Sequence, residues 1–290
     1  KGTTKGLAMT TDCNSRYCYL DPFRGGAIAV AEAARNLAVS GATPIALTDC
    51  LNFGNPERPE VMWQLVECIL GIREACLALG VPVIGGNVSL YNETSGTSVH
   101  PTPTIGMVGL IEDLKTHTTQ WFKSEGALVA LIGETRRDLG GSEYLKVIHG
   151  LEAGMPPEIN LSREKAVHEA CLKAIRAGII ESAHDASEGG LSVALAESCF
   201  NPSGPIGVEV DLAATDIRAD EALFAESQSR IIVSLKEKDL ERLKAICKAA
   251  GAPLSLLGKT GGERLRIGGL IDLPVEHMKE AWSGAIEKFL

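Results

Sequence analysis

The feature that most constrains the fold is an alternation of apolar, strand-like segments with amphipathic, helix-like segments. Strand patterns occur at residues 5–12, 42–49, 81–86 and 102–113. Helical periodicity separates them at residues 27–41 and 61–80. Aromatic residues make up only 4% of the chain, so a core must be built from Ala, Val, Ile and Leu. This pattern predicts an α/β protein of mixed α+β character, with helices layered on sheets.

The pattern weakens between residues 114 and 126, which predicts a domain boundary there. We place the first domain at residues 1–118 and the second at residues 119–290. The second part continues with a strand at 127–133 and a helix at 162–178, for which Ser162 is the expected N-cap. Residues 254–269 resemble a hairpin.

Charge and cysteine usage exclude several classes of function. The formal net charge is -9 and no Lys/Arg run is present, which argues against a nucleic-acid partner. No apolar run reaches ~20 residues, so no membrane-spanning helix is expected. The eight cysteines form no CxxC pair, and we interpret them as reduced thiols of a cytoplasmic protein.

Polar residues gather where three strands of the predicted first domain end. The three groups are Asp12 with Asn14 and Arg16, Asp49 with Asn52, and Gly86 with Asn87 and Ser89. Ligands of open α/β sheets bind beyond the carboxyl ends of strands, and carboxylate and amide oxygens suit Mg²⁺. Each group alone is also compatible with an ordinary turn. Gly25 and Gly26 fit either a phosphate-binding loop or a plain connection into a helix.

The second domain carries three short motifs rich in small residues and carboxylates. They are "LGGSEYL" at 139–145, "AHDASEGGL" at 183–191, which contains His184 and Asp185, and "ESQSR" at 226–230, which begins with Glu226, Ser227 and Gln228. His184 beside Asp185 permits acid–base chemistry, although a histidine next to a turn is more often structural. No nucleophilic triad is apparent, which favours a reaction driven by positioning, such as phosphoryl transfer.

Five segments together resemble one enzyme family. They are "LDPFRGGAIAVAEAARNLAVSGATPIALTDCLNFGNP", "GGNVSLYNET", "PTPTIGMVG", "LGGSEYL" and "HDASEGGL". Along nearly its whole length the chain is similar to the C-terminal half of the phosphoribosylformylglycinamidine synthase family, within the aminoimidazole ribonucleotide synthetase-like superfamily. The resemblance implies an ATP- and Mg²⁺-dependent carbon–nitrogen ligase of purine biosynthesis. Such an enzyme phosphorylates formylglycinamide ribonucleotide, and ammonia from glutamine then displaces the phosphate.

The resemblance also implies an architecture and a set of partners. Each half of the family enzyme has an A domain and a B domain, and the two A domains pair into a central barrel. Two nucleotide sites are related by that pairing. One is catalytic and the other can hold a structural nucleotide. The implied partners are the N-terminal half, a glutaminase subunit and a small accessory subunit.

Site residues are implied position by position. Asp49 and Gly86 match ATP contacts, Asn87 matches a Mg²⁺ ligand, and Ser89 matches a substrate contact. Four further residues are expected along the cleft, namely Asp12, Asn14, Arg16 and Asn52. Asp185 and the tripeptide Glu226, Ser227 and Gln228 are expected at the second, pseudo-symmetric site.

The catalytic histidines and the ATP-contacting lysine of the family belong to the other half, and nothing here matches them. We therefore expect no catalytic residue in this chain and no turnover by the chain alone. Exposed strand edges of the A domain could drive homodimerisation. Two other functions stay open, a nucleotide-holding structural module and a different superfamily activity such as that of selenophosphate synthetase.

Overall fold

The computed structural model describes residues 2–212 and 217–289. Its N-terminal part, through Ile111, contains six strands and three helices among these residues. The strands are β1 (Gly6–Asp12), β2 (Thr43–Asn52), β3 (Val83–Ser89), β4 (Glu93–Thr94), β5 (Thr97–Ser98) and β6 (Thr102–Ile111). The helices are α1 (Ser15–Leu20), α2 (Pro22–Val39) and α3 (Pro59–Leu79).

Four of these strands form an open sheet in the order β1-β6-β2-β3. Strand β6 is antiparallel to both β1 and β2, whereas β2 and β3 are parallel. Strands β1, β2 and β3 therefore run in one direction and end at the same edge of the sheet. The α/β prediction is confirmed, and the three polar groups do follow strands that share an end.

Helix α2 lies at the centre of the molecule and is buried on every side. It packs on the sheet, on α1 and on α3, and its backbone approaches α3 closely because glycines stand at the contacts. A side chain at Gly26 would collide with the carbonyl of Cys68, and one at Gly71 with the carbonyl of Phe23. Gly25 and Gly26 are thus packing residues inside α2, so both alternatives, a phosphate-binding loop and a plain connection into a helix, are wrong.

The other face of this sheet is bare and apolar. Met9 is 81% exposed and Ile84 is 71% exposed, and with Val108 they line a groove of about 270 Å³. Strand β3 is uncovered as well, since residues 83–88 are all exposed. Among the described residues the sheet is open and does not close on itself, so the barrel that the resemblance implies is not formed within this chain.

The C-terminal part begins at Leu128 and has seven strands and six helices among the described residues. The strands are β7 (Leu128–Ile132), β8 (Ile180–Asp185), β9 (Val208–Val210), β10 (Ile231–Leu235), β11 (Leu254–Thr260), β12 (Arg264–Ile267) and β13 (Ile271–Pro274). The helices are α4 (Glu143–His149), α5 (Leu161–Arg176), α6 (Gly190–Ser198), α7 (Ala219–Phe224), α8 (Leu240–Ala250) and α9 (Val275–Ser283).

These strands form one sheet in the order β13-β12-β9-β11-β7-β10-β8. One face packs on α5 and α8, and the other packs on α6 and α7. Strand β9 lies between β11 and β12, parallel to β12. The predicted hairpin at residues 254–269 is therefore wrong, because the first of its two strands pairs with β9 and β7 instead of with the second.

The connection between the two sheets is itself anchored. The Thr118 hydroxyl donates to the carbonyl of Val39, and the Phe122 amide donates to the carbonyl of Ser198. The boundary predicted at residue 118 falls in this connection. Further along, α5 is capped by Asn160, whose side chain accepts from the Arg163 amide, so the expected cap at Ser162 is wrong by two residues. Within residues 2–212 and 217–289, no helix combines the length and apolar character needed to cross a bilayer.

Candidate functional site

Strand register places three predicted site residues in one row across the first sheet. Asp12 pairs with Ile105, Ile105 pairs with Asp49, and Asp49 pairs with Gly86. Residues paired in this way present their side chains on the same face, here the face covered by helices. The row therefore begins at β1 with the carboxylate of Asp12, carries a second carboxylate, Asp49, on β2, and ends with Gly86 on the bare edge strand β3.

Alternation along β3 divides the edge of the sheet into two faces. Asn87 pairs with Cys50 and Ser89 pairs with Asn52, so these four residues point to the open face while Asp49 points to the helices. The Asn52 amide donates to the carbonyls of Cys50 and Thr102, which ties down the strand end. We refer to Asp49, Gly86, Asn87 and Ser89 as the edge cluster. It straddles β3 and is open to solvent at Asn87.

The residues that follow β1 turn instead toward the C-terminal part. Asn14 donates from Nδ2 to Glu188 at 3.1 Å. Arg16 donates from Nη2 to Glu143 at 2.5 Å and from Nε to the carbonyl of Gly141 at 3.1 Å. The residues predicted to line one cleft therefore fall into two separate groups, the edge cluster and a second site between the two sheets.

This second site, the central cluster, is built around a charge that sequence reasoning missed. Arg35 of α2 has no exposed surface. Its Nε donates to Glu164 at 2.7 Å and its Nη2 donates to Gln228 at 2.8 Å. Its Nη1 lies 3.8 Å from Oδ2 of Asp185, and neither atom has a hydrogen-bond partner among the described residues. The central cluster consists of Asp12, Asn14, Arg16, Glu32, Arg35, Asp185 and Glu188.

The central cluster carries more carboxylates than cations, and its titration reflects that. Burial, and then the nearby Asp185 carboxylate, raise the pKa of Asp12 to about 8. Burial and the charge of Asp12 also raise the pKa of Glu32 well above its usual range. Burial raises the pKa of Glu188 in the same sense. A buried excess of acidic groups is an environment that would accept a cation or a bound proton.

His184 has partners that fix its ring. Its Nε2 lies 2.9 Å from Glu197 and its Nδ1 lies 3.4 Å from Asp185. Burial opposes the charged form, but these two carboxylates raise the pKa of His184 to about 9. An imidazolium held by two carboxylates is a poor general base at neutral pH, so the structural interpretation of His184 is favoured over acid–base chemistry.

The predicted tripeptide Glu226, Ser227 and Gln228 is completely enclosed. Their exposed fractions are between 0% and 1%, and all three side chains make hydrogen bonds within the protein. Gln228 joins this segment to the central cluster through Arg35.

The donor chemistry for a metal ion is incomplete at both places. Across residues 2–212 and 217–289, no three His, Cys, Asp or Glu side chains are arranged to hold a metal ion. Asn87 offers one amide oxygen on the open face, and the nearest carboxylate of the edge cluster, Asp49, points the other way. Asn87 suits Mg²⁺ as one ligand among several, the others being phosphate oxygens or groups outside this chain.

Comparisons with known proteins cover nearly the whole chain. Residues 2–111 match the family model "AIR synthase related protein, N-terminal domain", and residues 124–268 match "AIR synthase related protein, C-terminal domain". The phosphoribosylformylglycinamidine synthase subunit PurL of Anaeromyxobacter dehalogenans is 50% identical over 298 residues. That match covers 100% of this chain and 39% of the relative, so the chain spans about two fifths of the relative's length.

Solved structures give the same picture of the fold. The chain matches T. maritima PurL complexed with FGAR with a TM-score of 0.82 at 20% identity, over 94% of this chain and 46% of that one. It matches T. maritima PurL complexed with ATP with a TM-score of 0.74 at 19% identity, over 94% and 44% of the two chains. The fold is therefore shared over nearly the whole chain. The chain belongs to the AIR synthase related protein family, with the family's N-terminal and C-terminal domains in that order.

Proposed function

We propose that this chain is the C-terminal half of the synthetase component of phosphoribosylformylglycinamidine synthase. In the whole cytoplasmic enzyme it would take part in the ATP-dependent conversion of formylglycinamide ribonucleotide to the amidine, with ammonia derived from glutamine. Identity of 50% to a subunit of that name, over the full length of this chain, supports the assignment. The similar T. maritima protein has been solved with FGAR and with ATP, which supports the same class of ligands.

The edge cluster carries this proposal. In it Asp49 and Gly86 contact ATP, Asn87 is one ligand of a phosphate-bound Mg²⁺, and Ser89 contacts the substrate. The exposure of β3 supports a composite site, because a strand that is bare on both faces leaves the cluster open to another part of the enzyme. No residue of this chain is assigned as an acid, base or nucleophile.

The test is ammonia-dependent release of ADP with formylglycinamide ribonucleotide and Mg-ATP. The chain is assayed alone and then with the N-terminal half of the relative supplied separately. We expect turnover only in the second case, and we expect Asn87→Ala to abolish it with the fold intact. Gln64→Ala, which removes an amide on α3 outside the cluster, is the matched control. Turnover by the chain alone would overturn the half-enzyme proposal.

We propose that the open face of the first sheet packs on a second domain of the same type. Its apolar character, with Met9 and Ile84 exposed, supports this because such a surface is costly to leave in water. In isolation two copies of the chain would pair in the same way. We expect a dimeric mass at micromolar concentration, and a monomeric mass for Met9→Glu. Leu77→Glu, an exposed position on α3, is the control, and a monomeric mass for the unmodified chain would contradict the pairing.

A second candidate function is nucleotide holding at the central cluster, by analogy with the pseudo-symmetric nucleotide site that the family resemblance implies. Nη1 of Arg35 and Oδ2 of Asp185 have no hydrogen-bond partner among the described residues, which supports an ionic ligand there. The excess of buried acids favours the Mg²⁺ ion that would accompany the phosphates of a nucleotide. The residues involved are Asp12, Asn14, Arg16 and Asp185. Calorimetric titration with Mg²⁺ and AMPPCP tests this. We expect binding by the chain alone, and its loss in Asp185→Asn.

A further inference from the structure

The carboxylate of Glu226 joins three separate segments of the chain. Its Oε1 accepts the backbone N–H of Glu143 and that of Gly189, each at 2.8 Å. Its Oε2 accepts the phenol hydroxyl of Tyr17. Glu143 is the first residue of α4, Gly189 caps α6, and Tyr17 belongs to α1 of the N-terminal part. One buried side chain thus connects both domains.

The residues on either side of Glu226 hold it in place. Arg230 is fully buried, and its guanidinium contacts the backbone on both sides of Glu226. It donates to the carbonyl of Ser227 at 2.7 Å, to the carbonyl of Ala225 at 2.6 Å and to the hydroxyl of Thr135 at 3.0 Å. Ser229, at a φ of 63°, donates to Glu164. A left-handed conformation at a serine persists only where its surroundings enforce it.

Each of the three segments also carries a residue of the central cluster or its direct partner. Tyr17 lies in α1 immediately after Arg16, a residue of the central cluster. Glu143 holds Arg16 through its own carboxylate. Glu188, which accepts from Asn14, is the neighbour of Gly189. The position of Glu226 therefore determines where Arg16 and Glu188 stand relative to one another.

We propose that Glu226 is a positioning residue that locks α1 against the two loops at 139–143 and 186–190, and so fixes the geometry of the central cluster. All three of its hydrogen bonds are internal, and the side chain has no exposed surface from which to contact a ligand. In this chain the tripeptide therefore holds the domains together and does not itself touch a substrate. An effect of Glu226 on nucleotide affinity rests on the nucleotide site proposed above. The positioning role itself does not depend on that site.

Hydrogen–deuterium exchange read at single residues tests the lock. In Glu226→Ala we expect the amides of Glu143 and Gly189 to exchange at least tenfold faster, since both lose their acceptor. Tyr17→Phe removes only the tie to α1, so those two amides should keep wild-type rates within about twofold. Ser198→Ala, which removes a buried hydroxyl that donates to the carbonyl of Ala194 within α6, is the control and should also leave them unchanged.

Amides of Ile231 to Leu235 in β10 report on global unfolding and should not change in any of these variants. If Glu226→Ala does not fold, Glu226→Gln replaces it. The glutamine keeps one acceptor oxygen for the two amides but cannot accept from Tyr17, so the amide of Cys18 in α1 should lose protection while Glu143 and Gly189 keep theirs. Wild-type exchange at Glu143 and Gly189 in a folded Glu226→Ala protein would overturn the proposal.

Titration with Mg²⁺ and AMPPCP then measures the effect on the central cluster. We expect Glu226→Ala to weaken binding at least tenfold with unchanged stoichiometry, and Ser198→Ala to leave the affinity within twofold. Unchanged affinity in Glu226→Ala would contradict the coupling. If the wild-type chain binds no nucleotide, the second nucleotide site is refuted, and the exchange rates of Glu143 and Gly189 still decide the role of Glu226.

Discussion

The carboxylate of Asp49 occupies the space that a side chain on residue 86 would need, and Gly86 has none. A Cβ at this position would collide with Oδ1 of Asp49 and with its backbone carbonyl. The neighbouring Gly85 is different, since a Cβ there would make only an ordinary contact with Thr48 at 3.9 Å. The second glycine of the pair is therefore required by packing against a site residue, and the first is not.

Gly86→Ala should displace Asp49 and cost about 1–3 kcal/mol in the free energy of unfolding, because overpacking at a strand forces neighbouring groups to move. Chemical denaturation measures the loss. Gly85→Ala is the matched control and should lie within about 0.5 kcal/mol of the parent. Adding Asp49→Ala to Gly86→Ala should recover part of the loss, and equal losses at both glycines would contradict this account.

Gly71→Ala tests the close approach of α3 to α2. Helix propensity alone predicts a gain of about 1 kcal/mol for Gly→Ala. The added methyl would meet the carbonyl of Phe23, so we expect a net loss of about 1–3 kcal/mol instead. Thermal unfolding gives the sign. The control is Leu70→Ala, at the exposed position immediately before Gly71, and it should change the free energy of unfolding far less. A Gly71→Ala protein that is more stable than the parent would rule out the collision.

Asp12→Asn tests the electrostatics of the central cluster. The folded-state pKa of Asp12 is raised to about 8, whereas an unfolded aspartate titrates near 3.8. Between these values the unfolded chain has lost a proton that the folded chain keeps, so Asp12 lowers stability as the pH rises. We expect Asp12→Asn to be more stable than the parent by roughly 1–4 kcal/mol at pH 7, since one pKa unit corresponds to about 1.4 kcal/mol.

The difference should shrink as the pH falls and vanish below about pH 3, where Asp12 is protonated in both states. Stability curves in urea at several pH values measure the trend. A difference that stays constant from pH 4 to pH 8 would show that Asp12 is ionised in the folded protein.

Arg35→Met removes the only cation that touches both Glu164 and Asp185 among the described residues. Glu164 would then remain buried with His168 as its remaining basic neighbour. Removing one partner of a buried pair costs about 3–5 kcal/mol. Unfolding in guanidinium chloride measures this loss in the free energy of unfolding. Arg24→Met breaks a more exposed pair with Asp21 and should cost less than about 1 kcal/mol. Similar losses for the two variants would mean that Arg35 contributes no more than a surface ion pair.

Much of the fold follows from periodicity. The strands at β1, β2 and β6 and the helix α3 lie where alternation and helical spacing predict them, because each has one apolar face. Pairing between distant strands is not encoded locally, which is why the insertion of β9 between β11 and β12 escapes prediction. Caps depend on backbone angles, so Asn160 and Ser162 cannot be told apart from sequence alone.

The candidate site was predictable in its residues and less so in its arrangement. Three parallel strands bring Asp12, Asp49 and Gly86 to one row, as expected from strand ends. The face on which each side chain stands depends on register, and this separates Asp49 from Asn87. Four residues of the central cluster were predicted, but Glu32 and Arg35 were missed because they lie within α2, away from the strand ends and loops where polar groups gather. Two charges within the alanine-rich segment "AVAEAARN" were the available signal, since a helix apolar on all sides must bury whatever charge it carries.

Helix α2 has a consequence for how the molecule loses its structure. It supplies core side chains to the first sheet, contacts α5 and β8 of the C-terminal part, and places Arg35 between them. Melting the first sheet exposes this helix, and without it Glu164 and the inner face of α5 lose their cover. The two domains should therefore unfold in a single cooperative transition, with one heat-absorption peak, although the chain crosses between them only once.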